Sequence, residues 1–160
     1  MFSYEIHTTI DIEAGADAIW RVLTDFGRYD KWNPMLRKVQ VDVEPGAPVR
    51  FEVHRDGATP LRLQARIALL SEPDTLSWRG GPRGLLTGEH YFRIESLGER
   101  RCRFHHGERF KGLLLPLVKG RLKDAPEVYR SMNQALKKLV EQQIGTAARG
   151  TIEEALAGGV

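Results

Sequence analysis

With 160 residues, 41% hydrophobic and 28% charged, the chain has the size and composition of one globular domain, able to bury roughly 70% of the surface its unfolded form exposes. A wholly disordered or fibrous chain is excluded. The 24 Lys and Arg against 21 Asp and Glu leave a net charge of +3 and a pI near 9.2. Acids interrupt the basic residues, as at Glu99-Arg100-Arg101 and Glu108-Arg109, whereas a phosphate-binding face needs a basic stripe with few carboxylates. No nucleic-acid partner is expected.

The longest apolar stretch, Gly112 to Val118, is far shorter than the ~20 residues of a membrane span. The first residues lack the basic-then-apolar pattern of a secretory signal, so a cytoplasmic location is expected. Cys102 is the single cysteine, which leaves no intrachain disulfide and no CxxC metal or redox pair. Neither a metal nor another cofactor is expected.

Along the chain, Ser3 to Ile12 alternates, with Tyr4, Ile6, Thr8, Ile10 and Ile12 on one side, as in a half-buried strand. Ala14-Gly15-Ala16 breaks it, and Asp17 can cap a helix that buries Ile19, Trp20, Leu23 and Phe26. The stretch Arg28 to Pro34 is read as a short helical turn that cannot run past Asn33, because the following proline disfavours the α conformation. Strands follow at Leu36 to Val43, Val49 to Arg55, Leu61 to Ser71, Thr75 to Gly80, Thr87 to Leu97 and Arg101 to Phe110. Gly, Pro and Asp separate them, and such short connections make an antiparallel meander. From Arg121 to Ile144 the period becomes helical, with Leu122, Ala125, Tyr129, Met132, Leu136, Leu139 and Val140 on one face. Residues 1–145 form a single domain in this reading. Residues 146–160 are a loose C-terminal tail or a short helix capped by Thr151 and Glu154.

This order resembles the helix-grip architecture of the START-like superfamily, also called the SRPBCC or Bet v 1-like group, and most of all its bacterial polyketide cyclase/dehydrase-type branch. The stretches IDIEAGADAIWRVLTDFGRYDKWNP, Ile10 to Pro34, and GEHYFRIESLGERRCRFHHGERFKGLLLPL, Gly88 to Leu117, carry the resemblance. It implies an α+β fold in which a curved antiparallel sheet of about seven strands wraps a long C-terminal helix, with two short helices after the first strand. It also implies an internal cavity for a small hydrophobic molecule, a lipid, polyketide or aromatic metabolite. Members of the group include carriers, aromatic polyketide cyclases and chaperone activators. The resemblance therefore transfers a cavity and no catalytic residues.

Strand parity in such a sheet turns Val49, Phe51, Val53, Leu61, Leu63, Ala65, Ile67, Leu69, Leu76 and Trp78 inward, with Phe92, Ile94, Cys102 and Phe104. Arg50, Glu52, His54, Arg62, Gln64 and Arg66 then face solvent. The expected cavity wall is Phe51, Leu63, Ile67, Trp78, Phe92 and Phe104, with Tyr129 and Met132 from the long helix and Trp32 near the opening. The same parity turns His90, His106 and Glu108 inward, where an unpartnered polar group costs roughly 2 to 7 kcal/mol. Three roles fit them: mutual hydrogen bonding or hydration near the open end, anchoring a ligand oxygen, or acid–base chemistry in a cyclisation or dehydration. Three functions compete accordingly, namely a binding protein, a cyclase or dehydratase, and a protein-interaction module.

The connector from residue 112 to 121 holds five aliphatic side chains between basic residues. It is read as a buried short helix or a lid, with membrane contact the weaker alternative. Oligomeric state is not legible in the sequence.

Overall fold

The computed structural model describes residues 1–157. Strand β1 (Phe2–Ile12) leads into helix α1 (Ala16–Thr24), a 3-10 turn (Phe26–Arg28) and helix α2 (Tyr29–Trp32). Strands β2 (Leu36–Gln40), β3 (Pro48–Val53), β4 (Leu61–Ser71), β5 (Thr75–Gly80), β6 (Thr87–Gly98) and β7 (Arg101–Gly112) follow. Helix α3 (Leu115–Val118) and a second 3-10 turn (Lys119–Leu122) then precede the long helix α4 (Ala125–Ala157). The strands form one seven-stranded antiparallel sheet in the order β1-β7-β6-β5-β4-β3-β2. Sequential hairpins account for most of it, and the single long-range pairing lays β1 against β7, Phe2 opposite Gly112.

The sheet curves around α4, whose inward stripe of Tyr129, Met132, Leu136 and Val140 is buried, as are Ile12, Ile19, Leu23, Leu76, Phe92 and Phe104. Each such side chain stabilises the fold by about 1.5–3 kcal/mol through removal from water. The N-terminal helices pack over the sheet through Phe26 and Tyr29, and the Tyr29 hydroxyl donates to the Leu23 carbonyl.

Several local expectations are corrected. Helix α1 is capped by Gly15, with Asp17 inside its first turn where a carboxylate favours the helix dipole. Strand β2 ends at Gln40, short of Val43, and its register shifts between Arg37 and Gln40, where Lys38 has a φ of 50° and its backbone N–H donates to Asp30 Oδ1 at 2.7 Å. Helix α4 begins at Ala125, which puts Pro126 in the first turn, where no N–H partner is lost. Residues 146–157 continue α4, and Thr151 Oγ1 donates to the Ala147 carbonyl instead of capping a new helix. Residues Gly158–Val160 of the expected tail lie outside the described residues.

Strand parity also fails within β4. Ile67 is opposite Trp78 but Leu69 is opposite Ser77, so Ala68 is an extra residue in β4. The bulge turns Leu69 outward, 51% exposed, and gives its inward place to Leu70. On the outer face, Glu52 is buried beneath Lys38, His54 and Arg62, which all bond its carboxylate. Tyr91 also lies buried on that face, its hydroxyl 2.7 Å from His7 Nδ1 and 3.0 Å from Glu5 Oε1.

Candidate functional site: a cavity with one polar end

The β6–β7 register sets His90 opposite Glu108 and Phe92 opposite His106. Alternation along both strands sends these four side chains to the concave face, against α4. There the Tyr129 hydroxyl donates to Glu108 Oε2, and His90 Nδ1 lies 3.9 Å from the same oxygen. His90 Nε2 meets His106 Nε2 at 3.0 Å, and His106 Nδ1 meets Asn133 Oδ1 at 2.8 Å. Asn133 Nδ2 donates to Thr8 Oγ1 at 2.9 Å, and that hydroxyl donates to the His106 carbonyl at 2.8 Å.

This chain of contacts determines which nitrogens carry protons. A carbonyl only accepts, so the single Thr8 proton goes to the His106 carbonyl, and Thr8 Oγ1 must accept from the Asn133 amide. The Asn133 oxygen then faces His106 Nδ1, which must be the N–H donor. Burial, reinforced by the neighbouring His90, holds the His106 pKa well below the usual imidazole value. His106 is therefore neutral, with a bare Nε2 that accepts from His90 Nε2–H. With Nε2 bonded to His106, His90 turns its Nδ1 to the Glu108 side, 3.9 Å from Oε2. Tyr129 keeps its proton, since burial and the adjacent Glu108 raise its pKa well above 10.0.

These groups end a cavity of about 310 Å³. Its wall includes Met35, Phe51, Leu63, Trp78, Phe110 and Val128, and the polar side chains His90, Glu108 and Tyr129 face it. Trp78 stacks on His90 with ring centroids 5.1 Å apart and planes 6° apart. Its buried indole N–H has no hydrogen-bond partner among the described residues.

The wall thus takes in Phe51, Leu63, Trp78, His90, Glu108 and Tyr129 of the sequence-predicted residues. Ile67, Phe92, Phe104, His106 and Met132 are buried in the core and do not line it. Trp32 lies elsewhere, in a depression of about 580 Å³ between the N-terminal helices and α4, shared with Arg21, Asp25, Arg28 and Gln143. Leu61 and Leu63, half-exposed at the end of β4, line the cavity as well. Sequence reasoning missed Asn133, although a polar residue four positions after Tyr129 on the inward stripe of a helix is a visible signal. It also missed Leu86, Val128 and Met35, which come from connectors and a helix flank that parity does not describe. Cys102 is buried, and burial raises its thiol pKa, as suits a small core residue. Among the described residues, no group of three or more His, Cys, Asp or Glu is arranged to hold a metal.

A curved antiparallel sheet gripping a long C-terminal helix, with two short helices after the first strand and an apolar cavity within, defines a START-like, SRPBCC-type protein. A family model described as polyketide cyclase/dehydrase and lipid transport matches residues 3–142, and the chain belongs to that family. Among solved structures, a START superfamily protein from Mycobacterium smegmatis shares the fold at a TM-score of 0.68 and 22% identity, over 87% of this chain and 98% of that one. Norcoclaurine synthase from Thalictrum flavum, as a point mutant with a transition-state analogue, gives 0.64 and 17%, over 89% and 96% of the two chains. The di-domain ARO/CYC StfQ from the steffimycin biosynthetic pathway gives 0.67 and 11%, over 89% of this chain and 52% of that one. No curated protein matches the chain by sequence.

Proposed function

We propose that the protein binds a small, mainly apolar or aromatic molecule, such as a lipid, polyketide or aromatic metabolite, that carries a polar group at one end. The observation behind this is the contrast within one cavity, an aliphatic and aromatic wall with His90, Glu108 and Tyr129 gathered as its buried or half-buried polar groups, Arg55 and Gln64 being exposed residues of the lining. Such a site takes the apolar body by burial and fixes its direction with few hydrogen bonds. Glu108 can accept a hydrogen bond from a ligand hydroxyl, with His90 Nδ1 beside it as a second polar contact. The interaction-module alternative has less support, since side chains do not fill the cavity.

Native mass spectrometry of the protein from its expression host tests this reading. A small molecule present in the native mass and lost on denaturation supports it. An empty protein that also fails to bind a fluorescent apolar probe rejects it.

His90 Nδ1, 3.9 Å from Glu108 Oε2 at the cavity wall, favours one second reading, a cyclase- or dehydratase-type enzyme. His90 would remove a proton next to a ligand carbonyl, and the imidazolium would return it to the departing β-hydroxyl as water leaves. Candidate residues His90, His106 and Glu108 then have different roles: only His90 and Glu108 reach the ligand, and His106 holds the His90 tautomer. Loss of turnover of a β-hydroxy ketone in His90→Gln, with the fold and probe binding intact, supports this reading. Unchanged turnover removes it.

A further inference from the structure

The end of the molecule where β1 begins and β7 finishes gathers large apolar side chains on its surface. Leu113, Leu114 and Leu117 are 59%, 42% and 78% exposed, and only Leu115 of that run is buried. The expected buried connector is thus turned largely outward. Leu85 and Phe2 are exposed as well, at 48% and 56%.

These residues form one patch because the backbone ties their segments together. Phe2 is opposite Gly112 in the β1–β7 register. The N–H groups of Leu113 and Leu114 donate to the carbonyls of Gly84 and Leu85 at 3.1 and 2.9 Å. Gly112 packs so closely that a Cβ there would lie 2.1 Å from the Leu85 carbonyl oxygen.

The segments that form the patch carry charge of one sign, with Glu5, paired to Arg109, and Asp124 just beyond them. No Asp or Glu occurs in residues 1–4, 80–88 or 109–123, whereas Arg83, Lys111, Lys119 and Lys123 are exposed there. Lys119 Nζ sits 5.3 Å above the Tyr4 ring. Contiguous exposed leucines rimmed by cations fit an interface with apolar depth and negative surface charge. Patch-to-patch pairing of two copies would instead oppose like charges, and protein interfaces are depleted in lysine.

We propose that this face docks reversibly on an anionic lipid bilayer, the leucines entering the headgroup boundary and the cations meeting phosphates. The docking face borders the cavity, because Leu86, Phe110 and Leu122, from the same segments of chain, line the cavity. Exchange of a ligand between bilayer and cavity rests on the binding function proposed above. The docking itself does not.

The test is co-sedimentation of the full chain with vesicles of phosphatidylcholine alone and with added phosphatidylglycerol. Binding is expected to the anionic vesicles, to weaken as salt rises, and to fall about fivefold for each of Lys111→Gln and Lys119→Gln. The exposed double change Leu113→Asp with Leu117→Asp abolishes it, with circular dichroism unchanged. Failure of the wild type to bind anionic vesicles at low salt overturns the proposal, as does equal binding by the leucine variant. A dimer that the leucine variant breaks, without vesicle binding, also overturns it and assigns the patch to a second copy. Cavity occupancy is read separately by native mass spectrometry, so failure of docking and failure of ligand binding are distinguishable.

Discussion

His90 and His106 face each other through their Nε2 atoms at 3.0 Å, so one of these nitrogens must carry a proton and the other must not. The Thr8–Asn133 pair decides which, because it commits the single proton of neutral His106 to Nδ1. Nitrogen NMR at about pH 8, above the ordinary histidine range, is expected to show His106 as the Nδ1–H tautomer and His90 as Nε2–H. Asn133→Leu removes the acceptor and should leave mixed tautomers. Asn133→Asp places a carboxylate against Nδ1 and should raise the His106 pKa. An unchanged His106 titration in Asn133→Asp would contradict the relay.

Binding of an aromatic hydroxyl compound should depend on the polar end of the cavity. Glu108→Gln is expected to weaken 1-naphthol by about tenfold while leaving naphthalene nearly unchanged, the effect of removing a charged hydrogen-bond acceptor. Gly88→Ala should act in the same direction, since a Cβ at Gly88 would lie 2.4 Å from Glu108 Oε1 and displace the carboxylate. Fluorescence titration of both compounds checks this, and equal losses for the two would place the hydroxyl elsewhere.

Two substitutions measure the packing. Leu136→Ala, at a fully buried position of α4, should destabilise by about 2–5 kcal/mol through a cavity between helix and sheet. Gly107→Ala should cost about 1–3 kcal/mol by overpacking, because its Cβ would meet the Ile6 carbonyl at 2.1 Å and the Tyr91 hydroxyl at 2.6 Å. Urea unfolding with unchanged slopes gives both values.

Acid should unfold the protein in two stages. His106 has a folded pKa well below its ordinary 6.5, owing to burial, so the unfolded chain takes up a proton that the folded one refuses. Stability therefore falls as pH drops below about 6.5. Bonds from Arg103 and Arg101 hold Asp11 at about 2, below its ordinary 3.8. Bonds from His54, Lys38 and Arg62 hold Glu52 at about 2, below its ordinary 4.5. Their stabilisation is present above those ordinary values and is lost as pH falls towards 2. The double variant Asp11→Asn, Glu52→Gln should flatten stability in that lower window, and His106→Phe in the upper one. Thermal melts across pH separate the two.

The fold was legible because alternation and helical period are local properties. The limits of β4 and β5, and the inward placement of His90, His106 and Glu108, follow from period-2 parity between short turns. Leu69 escaped the same parity because nothing in the sequence marks the extra residue Ala68. The helical period was followed only to Ile144, whereas α4 continues through Gly145 and Thr146 to Ala157, extending a helix already nucleated by a buried face.

Residue types and spacing thus determined a sheet that grips a helix, and put two imidazoles and a carboxylate on its inner face. Whether those groups touch solvent, ligand or one another depends on distances of a few ångströms between segments far apart in the chain. Only tertiary packing sets those distances. It brings Thr8 and Asn133 to His106, places His106 behind His90, and leaves His90, Glu108 and Tyr129 at the cavity. It likewise joins Phe2, Leu85 and Leu117 into one exposed face, because a surface patch is a property of folded geometry that no local period encodes.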